Sequence, residues 1–523
     1  MNFKLYLVFL VVVTNNCANG LKLLLVFPIS VKSHYILGNE LGKGLARLGN
    51  EVTILAPFQD ENPPANYTTL LLDNLAKYQP GNNNQKFNAF DMENISPYLQ
   101  VFYLYTVGFE KIMEAILSHP IVQNLLTSNQ TFDAVIVEQF LDDALKGFAH
   151  HYNVPLIIFS TIGPNVWINN LVGNPSSPSY IPDMFLNLKG GEMSFYDRAY
   201  NFIFSIYQNV MLYQLFYPRQ SKVFQKYFLK APPFEQVQYN VSLVLLNSHE
   251  CIYEAVPHVP NMIDIGGFHL SALKRLPEDL KEFMDNAEEG VIYFSLGSHS
   301  LPSTMPKDKK DIILKVLGAR KEKILWKWDE DRLENQPKNV MISKWFPQQE
   351  ILAHPNCKLF MSHGGLLSTI ETVHAGVPVL ALPIFGDQKM NAIRITQKGF
   401  GLSLTFSQIT EENLENVLNE ILDNPKYLQT AKTSSALLHD RPMPPIKIAD
   451  YWIKYVVRHK GAPHLRVAGV DLPLYKYYMI DVIGVMCAVF LATSFLVVIV
   501  SKKLVGICRS KSCTNTNIKM KNE

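Results

Sequence analysis

The densest group of polar residues that could do chemistry lies between Trp345 and Gln388. A mainly apolar run at Lys358–Ser362 predicts a buried strand; His363 and two glycines follow it, and a helix is expected to begin near Leu366. Glycines at a strand-to-helix turn let the backbone approach a ligand closely, and the first amides of a helix attract anions. The pattern predicts a site for a diphosphate.

Other side chains of the same segment could complete a nucleotide site. His363 and Ser368 can donate hydrogen bonds to phosphate oxygens, and Trp345 offers a flat face for a base. Glu371 can accept hydrogen bonds from ribose hydroxyls, as acidic residues do in other nucleotide folds. A pair of glycines alone would be weak support, so the prediction depends on the whole combination.

The elements that would position these residues are short apolar runs that alternate with helical stretches, the pattern of parallel sheets covered by helices. In the first half the predicted strands are Leu21–Phe27, Glu51–Leu55, Phe132–Val137, Pro155–Ser160 and Ser242–Leu246. In the second half they are Gly290–Ser295, Ile324–Lys327, Val340–Lys344, Lys358–Ser362 and Val377–Leu382. Ligands bind beyond the carboxyl ends of such strands, so two facing α/β domains would form a cleft with loops from both.

The segment from Trp345 to Gln388 resembles, position by position, the donor-binding signature of the UDP-glycosyltransferase family. The resemblance continues in Phe294–Ser298, Asp440–Pro442 and Tyr455–Arg466, and covers nearly the whole mature chain. It implies a GT-B-like fold, in which two Rossmann-like, doubly wound domains face each other across a cleft, with a C-terminal transmembrane helix. It also implies sugar transfer from a UDP-sugar to a hydroxyl of a small lipophilic acceptor, with inversion.

The same resemblance assigns the donor-binding residues. Trp345 would stack on uracil with Gln348 beside it, and Glu371 would bind ribose. The diphosphate would meet His363, Gly365, Ser368, Gly297 and Ser298, and the sugar hydroxyls would meet Asp387 and Gln388. UDP-glucose is the favoured donor, with UDP-glucuronate next. No cofactor besides the co-substrate UDP-sugar and no metal are expected, because protein groups would neutralise the diphosphate.

The resemblance also identifies His34, in the loop after the first predicted strand, as the general base. Imidazole titrates near neutral pH, and a carboxylate on its other nitrogen would fix the tautomer. In the family this carboxylate is an aspartate after the strand Phe132–Val137, where this chain has three acidic residues. Alignment on the downstream small residues favours Asp143, whereas a gapless alignment on the strand gives Glu138 as the alternative; Asp142 is the third choice.

Two apolar stretches indicate membrane targeting. Met1–Gly20 has a charged start, a short apolar run and small residues at its end, as in a cleavable signal peptide. Val482–Val500 has spanning length and is followed by Lys and Arg, which stay cytosolic. We therefore expect a single-pass type I protein of the endoplasmic reticulum membrane, with a luminal body. Four sequons in that body could be glycosylated, at Asn66, Asn94, Asn129 and Asn240.

The expected organisation follows from these features. It comprises a signal peptide (1–20), an acceptor-binding domain (21–275), a UDP-sugar-binding domain (276–445), a C-terminal helix with a juxtamembrane segment (446–478), a transmembrane helix (479–501) and a cytosolic tail (502–523). Within the first domain, Phe195–Phe228 is rich in aromatic residues at helical spacing. It is interpreted as core packing, an acceptor-pocket wall or a lipid-contacting surface.

Composition narrows the function further. The chain has 48 Lys and Arg against 46 Asp and Glu, with no dense basic block in the body, which argues against nucleic-acid binding. Only Cys251 and Cys357 lie in the predicted luminal part, so the fold must rest on its cores and not on a disulfide framework.

Two other functions are compatible with the same fold: a non-catalytic protein that binds lipophiles or UDP-sugar, and a glycosyltransferase acting on membrane lipid. A homo-oligomer is also compatible with the sequence.

The tail lysines Lys519 and Lys521 resemble a dilysine retrieval signal of endoplasmic-reticulum membrane proteins. Replacing both with alanine should send the protein onward to the cell surface, because the signal would no longer be read. Surface biotinylation measures this, and unchanged retention would show that the two lysines are only a solvated basic tail.

Overall fold

A computed structural model describes residues 20–78, 88–106, 109–298 and 300–519. The predicted signal peptide up to residue 19 and Lys521 lie outside these residues, as do the side chains of Asn94 and Lys519. The chain divides after Arg466 into two compact units, of which the first carries both α/β domains.

The N-terminal domain is built on a seven-stranded parallel sheet in the order β3-β2-β1-β4-β5-β6-β7. Its strands are β1 (Lys22–Val26), β2 (Glu51–Ala56), β3 (Tyr67–Leu71), β4 (Ala134–Glu138), β5 (Leu156–Ser160), β6 (Val241–Leu246) and β7 (Met262–Asp264). Its helices are α1 (Lys32–Arg47), α2 (Pro97–Thr106), α3 (Phe109–Leu117), α4 (Pro120–Thr127), α5 (Gly147–Tyr152), α6 (Val166–Val172), α7 (Phe195–Met211), α8 (Tyr217–Tyr227) and α9 (Phe234–Gln238). Every residue of β4, β5 and β6 is buried, because helices cover both faces of the sheet.

The C-terminal domain repeats this plan with a six-stranded parallel sheet in the order β10-β9-β8-β11-β12-β13. Its strands are β8 (Val291–Ser295), β9 (Lys323–Lys327), β10 (Val340–Ser343), β11 (Cys357–Ser362), β12 (Val379–Ala381) and β13 (Gly401–Ser403). Its helices are α10 (Glu278–Asp285), α11 (Lys307–Gly318), α12 (Gln348–Leu352), α13 (Leu366–Ala375), α14 (Gln388–Lys398), α15 (Glu411–Asp423) and α16 (Pro425–His439). The strand order reverses once in each sheet, between β1 and β4 and between β8 and β11, as in doubly wound folds.

The predicted fold class is confirmed, and every predicted strand is present with ends shifted by at most two residues. The sequence reading missed three strands, β3, β7 and β13. β7 and β13 have only three residues each, and all three strands lie at sheet edges, where a strand is less fully enclosed. Such strands lack the continuous apolar run by which a central strand is recognised.

The C-terminal helix α17 (Pro445–Arg458) returns from the second domain to the first. Its buried side chains Ala449, Ile453 and Val456 belong to the same hydrophobic core as Leu23 and Leu25 of β1. The C-terminal helix expected in the segment 446–478 is therefore present, and its apolar face packs on the first domain. The helix begins after Pro444, as expected where proline residues start a helix.

The second compact unit contains α18 (Leu474–Tyr477) and the long helix α19 (Ile480–Lys519). The part Ile480–Cys508 has a mean hydropathy of 2.7 and is long and apolar enough to cross a membrane. It contains nearly all of the predicted span 479–501. None of the most apolar stretch of this helix is buried against protein, as expected of a membrane anchor.

Candidate active site

A cleft between the two domains encloses a cavity of about 670 Å³. Loops after β1, β4 and β5 line it from the N-terminal domain. The end of β9 and the loops after β8, β10, β11 and β12 line it from the C-terminal domain. Both sheets thus present the carboxyl ends of their strands to it, at the two points where strand order reverses. This is where ligands bind in open α/β sheets.

His34 and Glu138 meet at the first of these points. The strands β1 and β4 are paired with Val26 opposite Val137, so Glu138 ends β4 beside the loop that leads to His34 in the first turn of α1. His34 Nδ1 is hydrogen-bonded to Glu138 Oε1, and the Phe140 ring packs edge-on against the imidazole at 4.6 Å. A carboxylate can only accept, so Nδ1 carries the proton and Nε2 is left as the basic nitrogen.

Asp143, the carboxylate favoured from the sequence, does not contact His34. Asp143 Oδ1 instead forms a buried ion pair with Lys146 Nζ, while Gln139 Nε2 donates to Asp143 Oδ2 at 3.1 Å. The favoured pairing is therefore corrected: Glu138, the alternative, is the carboxylate beside the imidazole. The small downstream residues used for the alignment belong to the turn after β4, which directs Asp143 toward Lys146.

Asp142, the third candidate, is also buried. Its Oδ1 accepts a hydrogen bond from the Phe140 backbone N–H at 3.0 Å, which fixes the loop that carries the Phe140 ring. Burial, with the negative charge of Glu138 next in size, raises the pKa of Asp142 well above its usual range. These contacts suit Asp142 to hold the loop and not to orient the histidine.

The second reversal point carries His363, which follows β11. Its imidazole lies between two glycines: a Cβ added to Gly297 would lie 2.7 Å from the ring, and one added to Gly365 would lie 2.5 Å from it. Gly297 also has a φ of +81°, which side chains disfavour. Any side chain at either glycine would therefore displace His363.

Gly365 also starts α13, and no side chain caps this helix. The first backbone amides of α13 have no partner within the helix and carry its positive dipole end. They lie beside His363 and Ser368, which line the same cavity. Together these groups can bind a diphosphate.

Trp345 lines the cavity from the loop after β10, with 58% of its surface exposed. Lys327 Nζ lies 4.7 Å from the centre of the Trp345 ring and donates to the Gly297 carbonyl oxygen at 2.8 Å. Burial lowers the pKa of Lys327 to about 8. Lys327 thus places a cation between the aromatic face and the glycine loop.

Glu371 is buried in the first turns of α13, where it accepts hydrogen bonds from two glutamines of α12. Gln348 Nε2 donates to one carboxylate oxygen, and Gln349 Nε2 donates to the other at 3.0 Å. Gln348 also donates to Ser368 Oγ at 3.1 Å. Burial raises the pKa of Glu371, and the two amide hydrogen bonds oppose that shift. The network holds Glu371 at the cavity wall.

Asp387 and Gln388 lie at the start of α14. Gln388 Oε1 accepts from the backbone amides of Ile384 at 2.9 Å and Phe385 at 3.2 Å, which fixes the turn before the helix. Asn391 Nδ2 donates to Asp387 Oδ2 at 2.8 Å. Burial raises the pKa of Asp387, and the hydrogen bond from Asn391 is the largest of the effects that oppose this shift.

His34 and all the predicted donor-binding residues line the cavity. Lys327 and Tyr293 line it too and were missed, although both belong to predicted strands of the second domain. The predicted site residues follow strands, whereas Lys327 is the last residue of β9 itself. A lysine at that end of a strand is a signal that could have identified it.

On the side of the N-terminal domain, the cavity is lined mainly by apolar residues. Its lining from the N-terminal domain includes Leu104, Phe109, Ile112, Phe140, Trp167 and Phe185. No residue of Phe195–Phe228 lines the cavity: Phe204, Phe216 and Phe224 are buried in the core, and Phe202 and Ile203 are exposed. The interpretation of this segment as core packing is confirmed for one face, and the pocket-wall interpretation is wrong.

The sequons differ in how accessible their asparagines are. Asn129 and Asn240 are exposed. Asn66 is half-buried, and its Nδ2 donates to the backbone oxygens of Ala46 and Asn50. Because glycosylation would attach the sugar to this same nitrogen, the folded structure suits Asn129 and Asn240 better than Asn66.

The two facing sheets with a cleft define the class of protein as a GT-B glycosyltransferase fold. The structure of a UDP-glucosyltransferase from Polygonum tinctorium, capable of glucosylating indoxyl and solved in complex with 3,4-dichloroaniline, matches with a TM-score of 0.55 at 16% identity. The match covers 84% of this chain and 99% of that one.

Sequence comparison gives the family. The model for UDP-glucoronosyl and UDP-glucosyl transferases matches residues 24–515. The UDP-glycosyltransferase UGT5 of Dactylopius coccus is 34% identical over 91% of this chain and 90% of its own length, and UDP-glucosyltransferase 2 of the same organism is 32% identical over 97% of each. The chain belongs to the UDP-glucuronosyl- and UDP-glucosyltransferase family and is an enzyme that transfers a sugar from a UDP-sugar.

Replacing Glu138 with glutamine should lower kcat by roughly 10²–10⁴-fold with little loss of stability, because an amide no longer fixes the His34 tautomer. Asp143→Asn is the matched control. It should leave the buried Lys146 charge uncompensated and lower the free energy of unfolding by about 3–5 kcal/mol. Rates per folded enzyme and melting temperatures measure both, and a larger kcat loss in Asp143→Asn would restore Asp143 as the partner.

The lowered pKa of Lys327 predicts that UDP affinity falls as pH rises through about 8. Below this pH the ammonium is charged and attracts the diphosphate; above it the attraction is lost, which should weaken binding by about tenfold. Lys327→Arg should keep its affinity at high pH, and Lys327→Met should be weak at every pH. Calorimetric titration with UDP measures this, and an unchanged pH profile in Lys327→Met would exclude Lys327 from the diphosphate site.

Proposed function

We propose that the enzyme transfers glucose from UDP-glucose to a hydroxyl of a small lipophilic acceptor, with inversion, and uses His34 and Glu138 as its general-base pair. The observation that carries this proposal is the position of His34. Its ring is hydrogen-bonded to a buried carboxylate of the N-terminal domain and lines the cavity that Asp387 lines from the C-terminal domain.

The reaction follows from this arrangement. The acceptor hydroxyl gives its proton to His34 Nε2 while its oxygen forms a bond to the anomeric carbon. The bond from that carbon to the diphosphate oxygen breaks, and UDP leaves with the electron pair. Glu138 stabilises the imidazolium, and general-base assistance of this kind contributes roughly 10²–10⁴-fold to the rate.

The charge of the departing UDP would be held by groups of the C-terminal domain. The first amides of α13, His363 and Lys327 surround one part of the cavity and can donate to phosphate oxygens. Trp345 would stack on uracil, and Glu371 would accept from ribose. These groups neutralise the diphosphate without a metal ion, so we propose no cofactor beyond the co-substrate.

The sugar end of the cavity supports a neutral hexose. Asp387 and Gln388 are the predicted sugar contacts, and the described lysines that line the cavity are Lys327 and Lys274. Lys327 is bound to the Gly297 carbonyl on the diphosphate side. A glucuronate carboxylate close to Asp387 would be repelled by its like charge and, among the described residues, would have no lysine beside it to form an ion pair. The hydroxymethyl group of glucose can instead donate a hydrogen bond to Asp387.

The acceptor side supports a small aromatic alcohol. Its apolar and aromatic lining favours a flat lipophile, and burial of apolar surface would provide most of the binding free energy. We further propose that the body is luminal in the endoplasmic reticulum. The apolar helix Ile480–Cys508, the one membrane-spanning candidate among the described residues, is followed by Lys and Arg, which favour the cytosolic side.

The test is to incubate microsomes that carry the enzyme with UDP-glucose or UDP-glucuronate and a panel of phenols, aliphatic alcohols and lipid extracts, and to read products by mass. We expect glucosides of free phenols from the wild type. His34→Ala should bind UDP normally and form no product. Glucuronides, products on lipid only, or full activity of His34→Ala would each overturn the corresponding part of the proposal.

A further inference from the structure

Residues 88–94, which we call the strap, lie between β3 and α2 of the N-terminal domain but pack on the C-terminal domain. They include a short 3₁₀ turn, Ala89–Asn94, that begins at Asn88, whose side chain accepts from the Phe90 amide at 3.2 Å. The strap is therefore a defined local structure and not an irregular loop. Its contacts indicate a role in joining the two halves of the cleft.

Phe90 is the apolar anchor of the strap. Only 6% of its surface is exposed, and it belongs to the hydrophobic core formed by β8, β9, β11 and their helices. Its ring packs edge-on against Phe406 at 4.9 Å. A residue of the first domain thus contributes to the core of the second, so the strap follows the C-terminal domain if the two domains move relative to each other.

Polar contacts hold both ends of the strap to the same domain. At one end Asn88 Nδ2 donates to the Thr304 carbonyl oxygen at 3.1 Å. At the other end the Ser407 amide and hydroxyl both donate to Glu93 Oε1 at 3.1 Å, and Lys389 Nζ donates to the Glu93 carbonyl oxygen at 2.7 Å. Lys389 directly follows Gln388, a predicted sugar contact.

Between these anchors, Met92 lines the cavity together with Leu75, Tyr103 and Leu104 of its own domain. The acceptor wall therefore includes one side chain whose position is set by the donor-binding domain. A methionine is flexible and polarisable, and adapts to ligands of different shape. The shape of the acceptor pocket thus depends, through Met92, on where the C-terminal domain lies.

We propose that the strap is a positioning element for the acceptor: anchored by Phe90 and Glu93 on the donor-binding domain, it completes the acceptor pocket with Met92 only when the two domains are closed. This inference rests on the proposed function, because it requires the N-terminal side of the cavity to bind the acceptor. Met92 is the specificity-determining residue, and Phe90 and Glu93 act through it.

The experiment uses the full-length enzyme and the phenol that the wild type glucosylates best in the panel above. Phe90→Ala and Glu93→Ala should each raise the acceptor KM by about fivefold or more and leave the UDP Kd within about twofold of wild type. Leu333→Ala is the matched control, since Leu333 is equally buried in the same core and does not line the cavity. It should change neither constant.

Met92 is tested separately. Met92→Ala should raise the acceptor KM. Met92→Leu, which keeps most of the side-chain volume, should have an acceptor KM close to that of the wild type. An unchanged acceptor KM in Glu93→Ala and Met92→Ala, or a parallel rise of acceptor KM and UDP Kd, would overturn the role of the strap. Absence of UDP binding by the wild type would instead reject the proposed function.

Discussion

The active-site geometry depends on the pairing of two strands that are distant in sequence. More than a hundred residues separate β1 from β4, yet the two are neighbours at the centre of the sheet, with Val26 opposite Val137. Because both strands end at the same level, the first turn of α1 and the last residue of β4 bring an imidazole and a carboxylate into contact. The same relation between β8 and β11 brings Gly297 against His363. The site is a consequence of where each sheet changes direction.

Because the carboxyl groups near His34 are buried, each of them has its own hydrogen-bond or ion-pair partner. Glu138, Asp142 and Asp143 lie within six residues and are all buried, so each carboxyl group needs its own partner. Lys146 compensates Asp143, the Phe140 amide donates to Asp142, and His34 takes Glu138. An uncompensated carboxylate here would cost several kcal/mol. The buried Asp143–Lys146 pair thus keeps a second negative charge from competing for the imidazole.

The fold could be predicted from sequence because its central strands are buried on both faces and appear as continuous apolar runs. The three missed strands could not, since β7 and β13 have only three residues each and β3 mixes threonines with leucines. The donor residues follow strands and form a long specific pattern, so their positions at the cleft were predictable. Glu138 was not favoured because the choice between Glu138 and Asp143 depended on the exact end of β4, which is not evident from the sequence. The contacts of Phe90 depend on tertiary packing that no local pattern reveals.

The two domains exchange elements in both directions. Helix α17, which follows the C-terminal domain, places Ala449, Ile453 and Val456 in the core of the N-terminal domain. The strap does the reverse with Phe90. The strap keeps its packing when it moves with the C-terminal domain, whereas an opening that pulled Phe90 or the apolar face of α17 out of its core would be unfavourable by roughly 25 cal/mol per Å². Small rotations that keep both anchors packed cost far less. We therefore expect domain motions in this enzyme that change the shape of the cleft while both elements stay packed on their cores. The proposed acceptor wall would change shape with these motions.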